Sequence, residues 1–240
     1  KGVIITEKEL AKRAKIQKQD IGEFNKGMCD KTSFSEDDMQ ALCERKWETV
    51  MGENYRGLVK SYAAKRILMI DRISHIIPSG GVHGLGVIIG EKILDPNHWY
   101  FPCHFRDDSV MAGSLVCEGC SQLLRLYAIY LGLHTDIDKF RFMPLKGQGQ
   151  KVRCRGQISP HVGKLVYHLE VTDIGYRDGC PYIKADVNII DVDFDKDQTF
   201  DLDEMDLYGK GNQEKRIVVD FKDICIQVVP GDGTEDPWEK

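Results

Sequence analysis

The sequence predicts an α+β protein in which a curved antiparallel sheet wraps one long central helix. Three observations predict this class: two strand candidates come first, a long helix follows that is apolar nearly all round, and at least three further strand candidates come after it. A helix that is apolar on all sides must be enclosed by other structure. When strands both precede and follow a single helix along the sequence, an antiparallel sheet that encloses the helix is favoured.

The first 60 residues are predicted to be an N-terminal arm or linker that carries one helix near residues 35–51. Residues 1–34 are polar and rich in charge, which is typical of a peripheral segment. Ser35 and Asp38 then approximate a capping box, which indicates a helix start. Apolar residues recur at helical spacing up to Gly52, at positions Met39, Leu42, Cys43, Trp47, Val50 and Met51.

Two strands are expected before the central helix. Residues 67–77 and 82–94 are rich in Ile, Leu and Val and are separated by a Pro-Ser-Gly-Gly turn, so they are predicted to form a hairpin. Gly84, Gly86 and Gly90 interrupt the second strand and indicate bends or bulges. Their spacing is not that of a dinucleotide-binding loop, and no helix follows them.

The central helix is predicted to run from about residue 111 to 133. Three strand candidates follow at 148–158, 164–173 and 182–194, and the second alternates apolar with polar residues, as in an antiparallel strand with one dry face. A last candidate at 216–229 could extend the sheet edge or serve a neighbouring domain. We therefore predict a central domain over residues 61–195 and a C-terminal extension over 196–240.

Composition limits the functions that this chain can have. Its 240 residues suffice for one sizeable core, and 42% hydrophobic with 30% charged residues is ordinary for a globular protein. A net charge of −5 without a basic stripe argues against a nucleic-acid partner. No apolar run is long enough to span a membrane. Eight irregularly spaced cysteines in a chain of this size indicate reduced thiols and a cytoplasmic protein.

The candidate catalytic residues are His104 and Glu118, which is fourteen positions further along the chain. His104 ends an aromatic extended stretch and is predicted to lie on a loop, where its near-neutral titration suits a base. Glu118 falls in the first turns of the buried helix, where desolvation would favour its protonated form. Such a base and acid suit removal of a proton beside a carbonyl, coupled to loss of a hydroxide.

Three further residues are expected to support this chemistry. Gly113 and Ser114 open the helix, so their N–H groups are free to bind an oxyanion. Gln122 lies one turn beyond Glu118 on the same helix face, where it can orient the acid or a bound water. Ser114 is not expected to be a nucleophile, because the glycine that a nucleophile elbow needs two residues later is absent.

Two alternatives stay open from the residues alone. His104 could be a packed core residue, as a histidine in an aromatic stretch often is. The second alternative is a zinc site, since Cys103 and His104 together with Cys117 and Cys120 are possible ligands. Against the zinc site, the side chains of adjacent residues 103 and 104 usually point apart, and the deaminase zinc signature is absent.

The stretch around these residues resembles the hot-dog-fold β-hydroxyacyl-ACP dehydratases. The similarity is greatest to the bacterial hydroxydecanoyl-ACP dehydratase/isomerase and to the dehydratase domains of polyunsaturated-fatty-acid synthases. The matching sequence begins at Trp99-Tyr-Phe-Pro-Cys-His-Phe and continues through Val110-Met-Ala-Gly-Ser-Leu-Val-Cys-Glu118 to Gln122. The strand Leu68-Met-Ile-Asp-Arg-Ile73 also resembles the family's first strand. The resemblance covers roughly residues 61–195.

The resemblance implies a hot-dog fold and a role for each site residue. His104 would remove the C2 proton, Glu118 would protonate the leaving hydroxyl, Gly113 would bind the thioester oxygen, and Gln122 would support the acid. It also implies an acyl carrier protein as partner, no metal or other cofactor, and a paired assembly. The pair would be a homodimer or a tandem hot-dog neighbour, with His104 of one copy facing Glu118 of the other.

The expected activity is therefore conversion of a 3-hydroxyacyl-ACP thioester to the trans-2-enoyl thioester. Ala112 replaces the family's proline, and Asp107-Asp108-Ser109 replaces its usual loop, but neither change removes a catalytic group. Glu118 matches the dehydratase-only branch of the family, so isomerase activity stays open. The alternatives are a hot-dog acyl thioesterase, in which Glu118 would activate water, and an inactive pairing partner of another hot-dog domain.

Overall fold

A computed structural model describes residues 29–137, 139–192 and 217–231, and their strands form one antiparallel sheet. Three α-helices lie in these ranges: α1 Glu36–Cys43, α2 Trp47–Met51 and α3 Gly113–Tyr130. Two 3-10 turns lie at Glu53–Tyr55 and Lys65–Ile67. The strands are β1 Arg72–Ile77, β2 Val87–Ile93, β3 Phe140–Pro144, β4 Lys151–Cys154, β5 Lys164–Arg177, β6 Cys180–Val192 and β7 Ile217–Pro230.

The strand order of the sheet is β1-β2-β5-β6-β7-β3, and β4 also pairs with β7. β3 lies beside residues 226–230 of β7, and β4 lies beside residues 219–222, so the two short strands share one edge. The inner face of the sheet packs against α3. Several helix side chains are at most 1% exposed: Val116, Leu123, Leu124, Leu126, Tyr127 and Ala128. This is the hot-dog arrangement, and it confirms the predicted fold class.

The segment before the sheet is part of the same core. Phe34, Trp47, Tyr55 and Tyr62 are each at most 5% exposed. The Tyr55 hydroxyl donates to the Tyr130 carbonyl at 3.0 Å, which ties this segment to the end of α3. Residues 34–62 are therefore packed structure, whereas the arm or linker was predicted to reach residue 60. The helical spacing of their apolar residues was visible in the sequence, but it could not show that they pack against the end of α3. Residues 1–28 lie outside the described ranges.

The helix predicted near residues 35–51 is two helices. The capping box is present: the Asp38 N–H donates to Ser35 Oγ at 3.2 Å, and the Ser35 N–H donates to Asp38 Oδ2 at 2.8 Å. The chain then leaves helical geometry between α1 and α2, where Arg45 takes a positive φ of 66°. An L-residue in that conformation cannot continue a right-handed helix.

The strands follow the predicted order, with differences in length. β2 begins at Val87 because the preceding residues form turns with positive φ at Gly81, Gly84 and Gly86. A Cβ at Gly86 would overlap the Tyr127 hydroxyl, so this position needs glycine. The strand predicted at 148–158 is confined to β4, and β3 was not predicted.

The last strand lies inside the sheet. The candidate at 216–229 corresponds to β7, which pairs with β6 on one side and with β3 and β4 on the other. The sheet therefore extends beyond residue 195, where the predicted domain ended, and the predicted extension contributes to the core through Val219, Phe221 and Val228. No helix in the described ranges is long and apolar enough to cross a membrane.

Candidate active site

His104 lies on the loop that leads into α3, and its own backbone closes that loop. The Val110 N–H donates to the His104 carbonyl at 2.9 Å, and His104 Nδ1 is 3.2 Å from the Val110 carbonyl oxygen. Because a carbonyl can only accept, Nδ1 carries the proton and Nε2 keeps its lone pair. The Phe105 ring covers one face of the imidazole, with 3.9 Å between ring centroids. The half-buried ring can thus accept a proton at Nε2.

Both ends of this loop are anchored. The Trp99 Nε1–H donates to the Arg66 carbonyl at 2.9 Å, and the Arg66 guanidinium lies 5.3 Å from the Trp99 ring centroid. At the other end, the Met111 N–H donates to the Ile158 carbonyl at 2.9 Å. The aromatic stretch and the residue that precedes α3 are therefore fixed to separate parts of the fold, which positions the loop between them.

The N-terminus of α3 presents free donors. Helix α3 begins at Gly113. The methyl group of its N-cap residue, Ala112, cannot accept a hydrogen bond from the first N–H groups. Gly113 and Ser114 are exposed, and the N–H groups of a first helical turn have no partner within the helix. An ideal Cβ on Gly113 would lie 3.7 Å from Cys154 Sγ, so β4 lies beside this end. The arrangement can bind an oxyanion.

Glu118 is an ion-paired carboxylate. Its Oε1 accepts a hydrogen bond from Arg125 Nη2 at 2.5 Å and another from Gln122 Nε2 at 3.1 Å. The side chain is 32% exposed. The expected desolvation of Glu118 is therefore wrong: α3 is buried, but this side chain points to a partly open position and faces a cation.

Gln122 is fully buried, and both ends of its amide are bonded. Nε2 donates to the Ile67 carbonyl at 2.8 Å, and the Met69 N–H donates to Gln122 Oε1 at 2.9 Å. These two bonds determine which amide atom is the donor, so Nε2 is the atom that faces Glu118. The stretch that follows the Lys65–Ile67 turn thus orients Gln122, and Gln122 in turn contacts the carboxylate.

Comparison with known protein families identifies the family of this sequence. The family model described as the FabA-like domain matches residues 62–195, more than half of the chain. The chain belongs to the FabA-like family. The FabA-like match begins at Tyr62 and ends shortly after β6, so it includes α3 and the loop that carries His104.

This FabA-like chain is also similar to a much longer protein. It is 50% identical over 242 residues to a subunit of the polyunsaturated fatty acid synthase from Thraustochytrium sp.. The alignment covers 99% of this chain and 16% of that protein. The chain thus spans about a sixth of the length of this relative.

Solved structures with similar folds share little sequence with the FabA-like chain. The dehydratase heterocomplex ApeI:P from Xenorhabdus doucetiae is 12% identical, with a TM-score of 0.40, and the match covers 72% of this chain and 90% of that one. A thioesterase family protein from Silicibacter pomeroyi is 9% identical, with a TM-score of 0.41, and the match covers 80% and 99% of the two chains.

The structure brings together some of the predicted site residues of this FabA-like chain. Gly113, Ser114, Glu118 and Gln122 all lie on α3, and the last two are in contact. His104 lies on the preceding loop, and no hydrogen bond or ion pair joins it to Glu118 among the residues described. The catalytic roles of these residues stay predictions.

The possible zinc ligands do not converge. Across the described ranges, no group of three or more His, Cys, Asp or Glu side chains is placed to hold a metal ion. The Cys103 thiol donates to the Trp99 carbonyl at 3.1 Å. Cys120 is buried, which raises the pKa of its thiol well above the usual value. All eight cysteines are free thiols.

Sequence reasoning missed two residues beside Glu118. Arg125 is seven positions further along α3, a spacing of about two turns that places both side chains on one face, so the signal was present. Tyr62 gave no such signal, because it comes from the segment before the sheet. Burial raises the Tyr62 pKa, while Arg125 lowers it and Glu118 raises it, so the hydroxyl lies within the field of both charges.

Proposed function

We propose that this FabA-like domain is a hydro-lyase that converts 3-hydroxyacyl thioesters on an acyl carrier protein to trans-2-enoyl thioesters. Family membership supports the reaction, and similarity to part of a polyunsaturated fatty acid synthase supports the pathway and the carrier. The observation that carries the proposal is the arrangement on α3: exposed N–H groups at Gly113 and Ser114 precede a carboxyl group that Gln122 holds in place.

The proposed mechanism uses groups of the chain and of the substrate. The thioester oxygen accepts hydrogen bonds from the N–H groups of Gly113 and Ser114, which stabilise the negative charge that develops there. His104 Nε2 removes the C2 proton, and the electron pair of that C–H bond forms the C2=C3 double bond. The C3–O bond breaks as Glu118 donates a proton, so the hydroxyl leaves as water. Proton exchange with solvent then restores neutral His104 and protonated Glu118.

We propose that the site is completed by a second hot-dog unit, either another copy of this chain or a tandem neighbour. His104 of one unit would face Glu118 of the partner subunit. The resemblance to paired hot-dog dehydratases supports this arrangement, and no hydrogen bond or ion pair joins the two residues within the described chain. We further propose that the functional unit reaches beyond residues 61–195, because residues 34–62 and 217–230 share its core. The free thiols support a cytoplasmic location.

A hot-dog acyl thioesterase is the second candidate, and one observation favours it. The Arg125 guanidinium forms an ion pair with Glu118 Oε1. A carboxylate can act as a base that activates water, whereas dehydration needs the protonated acid. The two candidates differ in product: hydrolysis releases a free acid, and dehydration leaves an enoyl group on the carrier.

Mass spectrometry of the carrier-bound substrate tests the proposal. The full chain is incubated with a 3-hydroxyacyl thioester of acyl carrier protein, and we expect the acyl group to lose the mass of one water. His104→Ala and Glu118→Gln should each abolish this loss and leave the fold intact. His161→Ala and Glu53→Gln change exposed residues of the same types and should have no effect.

Each other outcome of this experiment has a definite meaning. Water loss that persists in either site variant contradicts the mechanism. Release of free acid identifies the thioesterase instead. An unchanged substrate, with the chain folded and paired, identifies an inactive pairing partner.

A further inference from the structure

Arg125 lies beside the proposed acid but has no assigned role. The motif that carries the family resemblance ends at Gln122, three residues earlier. Arg125 Nη2 is 2.5 Å from Glu118 Oε1, and its Nε donates to the Ser121 carbonyl at 3.2 Å. The two bonds come from different nitrogens of the planar guanidinium, so they fix its orientation as well as its position.

The two donors around Glu118 bind the same oxygen. Gln122 Nε2 and Arg125 Nη2 both donate to Oε1, and Oε2 accepts no hydrogen bond from any residue in the described ranges. Donors that occupy one carboxylate oxygen leave the other to exchange a proton with a bound molecule. Oε2 is therefore the atom positioned to donate to a substrate hydroxyl.

The charges around Glu118 come from its own helix and from the segment before the sheet. Arg125 on α3 supplies the cation, and Gln122 is neutral. Tyr62 packs on this side from the earlier segment, and its buried hydroxyl has no hydrogen-bond partner among the described residues. Burial raises the Tyr62 pKa far above neutrality, so this residue contributes no charge. Both charged side chains are about 30% exposed, which weakens their attraction without removing it.

We propose that Arg125 is a positioning residue that holds Oε1 of Glu118 and so directs Oε2 towards the hydroxyl of the substrate. This inference rests on the proposed dehydratase function. Proton transfer to the leaving hydroxyl requires the donating oxygen of Glu118 to lie within hydrogen-bond reach of that hydroxyl. A residue that fixes the carboxyl group therefore speeds this step without contacting the substrate.

Steady-state kinetics test this role in the full chain. The substrate is the 3-hydroxydecanoyl thioester of N-acetylcysteamine, and formation of the enoyl thioester is followed for wild type and variants. Arg125→Gln should lower kcat about tenfold, because Oε1 loses its stronger donor. KM should stay close to the wild-type value, because Arg125 holds the acid and not the substrate. Arg125→Lys keeps a cationic donor, so it should recover most of the lost rate.

A matched control separates this effect from loss of an ordinary ion pair. Arg56 pairs with Glu48 at 3.0 Å on the exposed surface, and Arg56→Gln should leave kcat and KM unchanged. Arg125→Met, which keeps the aliphatic stem, replaces Arg125→Gln if that variant does not fold. Thermal unfolding of each variant shows that it is folded under the assay conditions.

The outcomes distinguish this inference from the proposed function. An inactive wild-type chain refutes the dehydratase and this inference together. An active wild type with an unchanged kcat in Arg125→Gln refutes the role of Arg125 alone. An equal loss of rate in the Gln and Lys variants, or a change in KM as large as the change in kcat, would show that Arg125 is purely structural.

Discussion

Gly119 follows Glu118 on α3 and lets the helix approach β5 closely. An ideal Cβ at this position would lie 2.8 Å from Tyr167 Cε1, well inside contact distance. Tyr167 is fully buried, so its ring cannot move out into solvent to make room for a methyl group. The absence of one side chain thus sets the spacing between the sheet and the helix that carries the proposed acid.

Gly119→Ala should destabilise the fold by about 1–3 kcal/mol, because the added methyl group overpacks the core. The better helix propensity of alanine, worth about 1 kcal/mol, offsets only part of this cost. The free energy of unfolding is measured with urea. Gly149→Ala is the control, since nothing lies within 4 Å of its ideal Cβ. Equal stability of the two variants would contradict the close contact.

Residue-level prediction worked where spacing along one helix decided the outcome. Gly113, Ser114, Glu118 and Gln122 lie on α3 as expected, because helix periodicity fixes which residues share a face. The exposure of Glu118 could not be predicted in this way. It depends on the parts of the fold that surround α3, and these are distant in sequence.

At the scale of single elements, the start of α1 shows that a short sequence motif can fix where a helix begins. Ser35 and Asp38 form the complete capping box that the sequence predicted. Lys31 also pairs with Asp38 at 2.7 Å. Burial alone would raise the pKa of Asp38, but the bonds from Lys31 and Ser35 outweigh it, and the pKa lies below its usual value. The start of α1 is therefore held by several interactions on one carboxylate.

Ser35→Ala should cost about 1 kcal/mol of stability, because the Asp38 N–H loses its acceptor and the capping box is broken. Chemical denaturation monitored by circular dichroism measures this loss. Ser33→Ala changes an exposed serine two residues earlier and should be neutral. A Ser35→Ala variant as stable as the control would show that the cap contributes nothing.

The elements that were missed lack local signals. β3 ends in Pro144 and lies at the sheet edge, where proline is tolerated, so its sequence does not resemble an interior strand. Its partner β7 begins more than seventy residues later, so local periodicity cannot reveal the pairing. The break between α1 and α2 depends on the positive φ of Arg45. Glycine or proline at this position would have indicated a break, but arginine does not.

At the scale of the whole molecule, His134 joins three parts of the fold. It lies in the turn after α3, and its ring is 6.1 Å from that of Tyr55 and 5.1 Å from that of Phe140, measured between centroids. Tyr55 belongs to the segment before the sheet, and Phe140 begins β3. Burial lowers the pKa of His134 to about 4, so the folded protein keeps this ring neutral.

The pKa of His134 predicts a loss of global stability in mild acid. Above its ordinary pKa of 6.5, this histidine is neutral in both the folded and the unfolded chain. As pH falls from 6.5 towards about 4, His134 becomes protonated in the unfolded chain but stays neutral in the folded protein. Unfolding is then favoured by on the order of 2–3 kcal/mol, and below that range the contribution stays constant.

Urea unfolding at about pH 7 and about pH 5 measures this effect in wild type and variants. His134→Gln should lose less stability than wild type between the two pH values, because the titrating ring is absent. His161→Gln removes an exposed histidine and should behave like wild type. An identical pH dependence in all three proteins would contradict the burial of His134.

The position of β7 in the sheet determines the order in which this fold can be completed during synthesis. Among the described strands, β3 and β4 pair with β7 alone, yet they leave the ribosome long before residues 217–230. Helix α3 and the loop of His104 are thus made first, and the strand beside Gly113 has no partner until β7 has been made. A nascent chain holds every proposed catalytic group while the strand that places Cys154 beside Gly113 is still unpaired. Translation of β7 is therefore the step after which one chain can hold this wall of the proposed site in place.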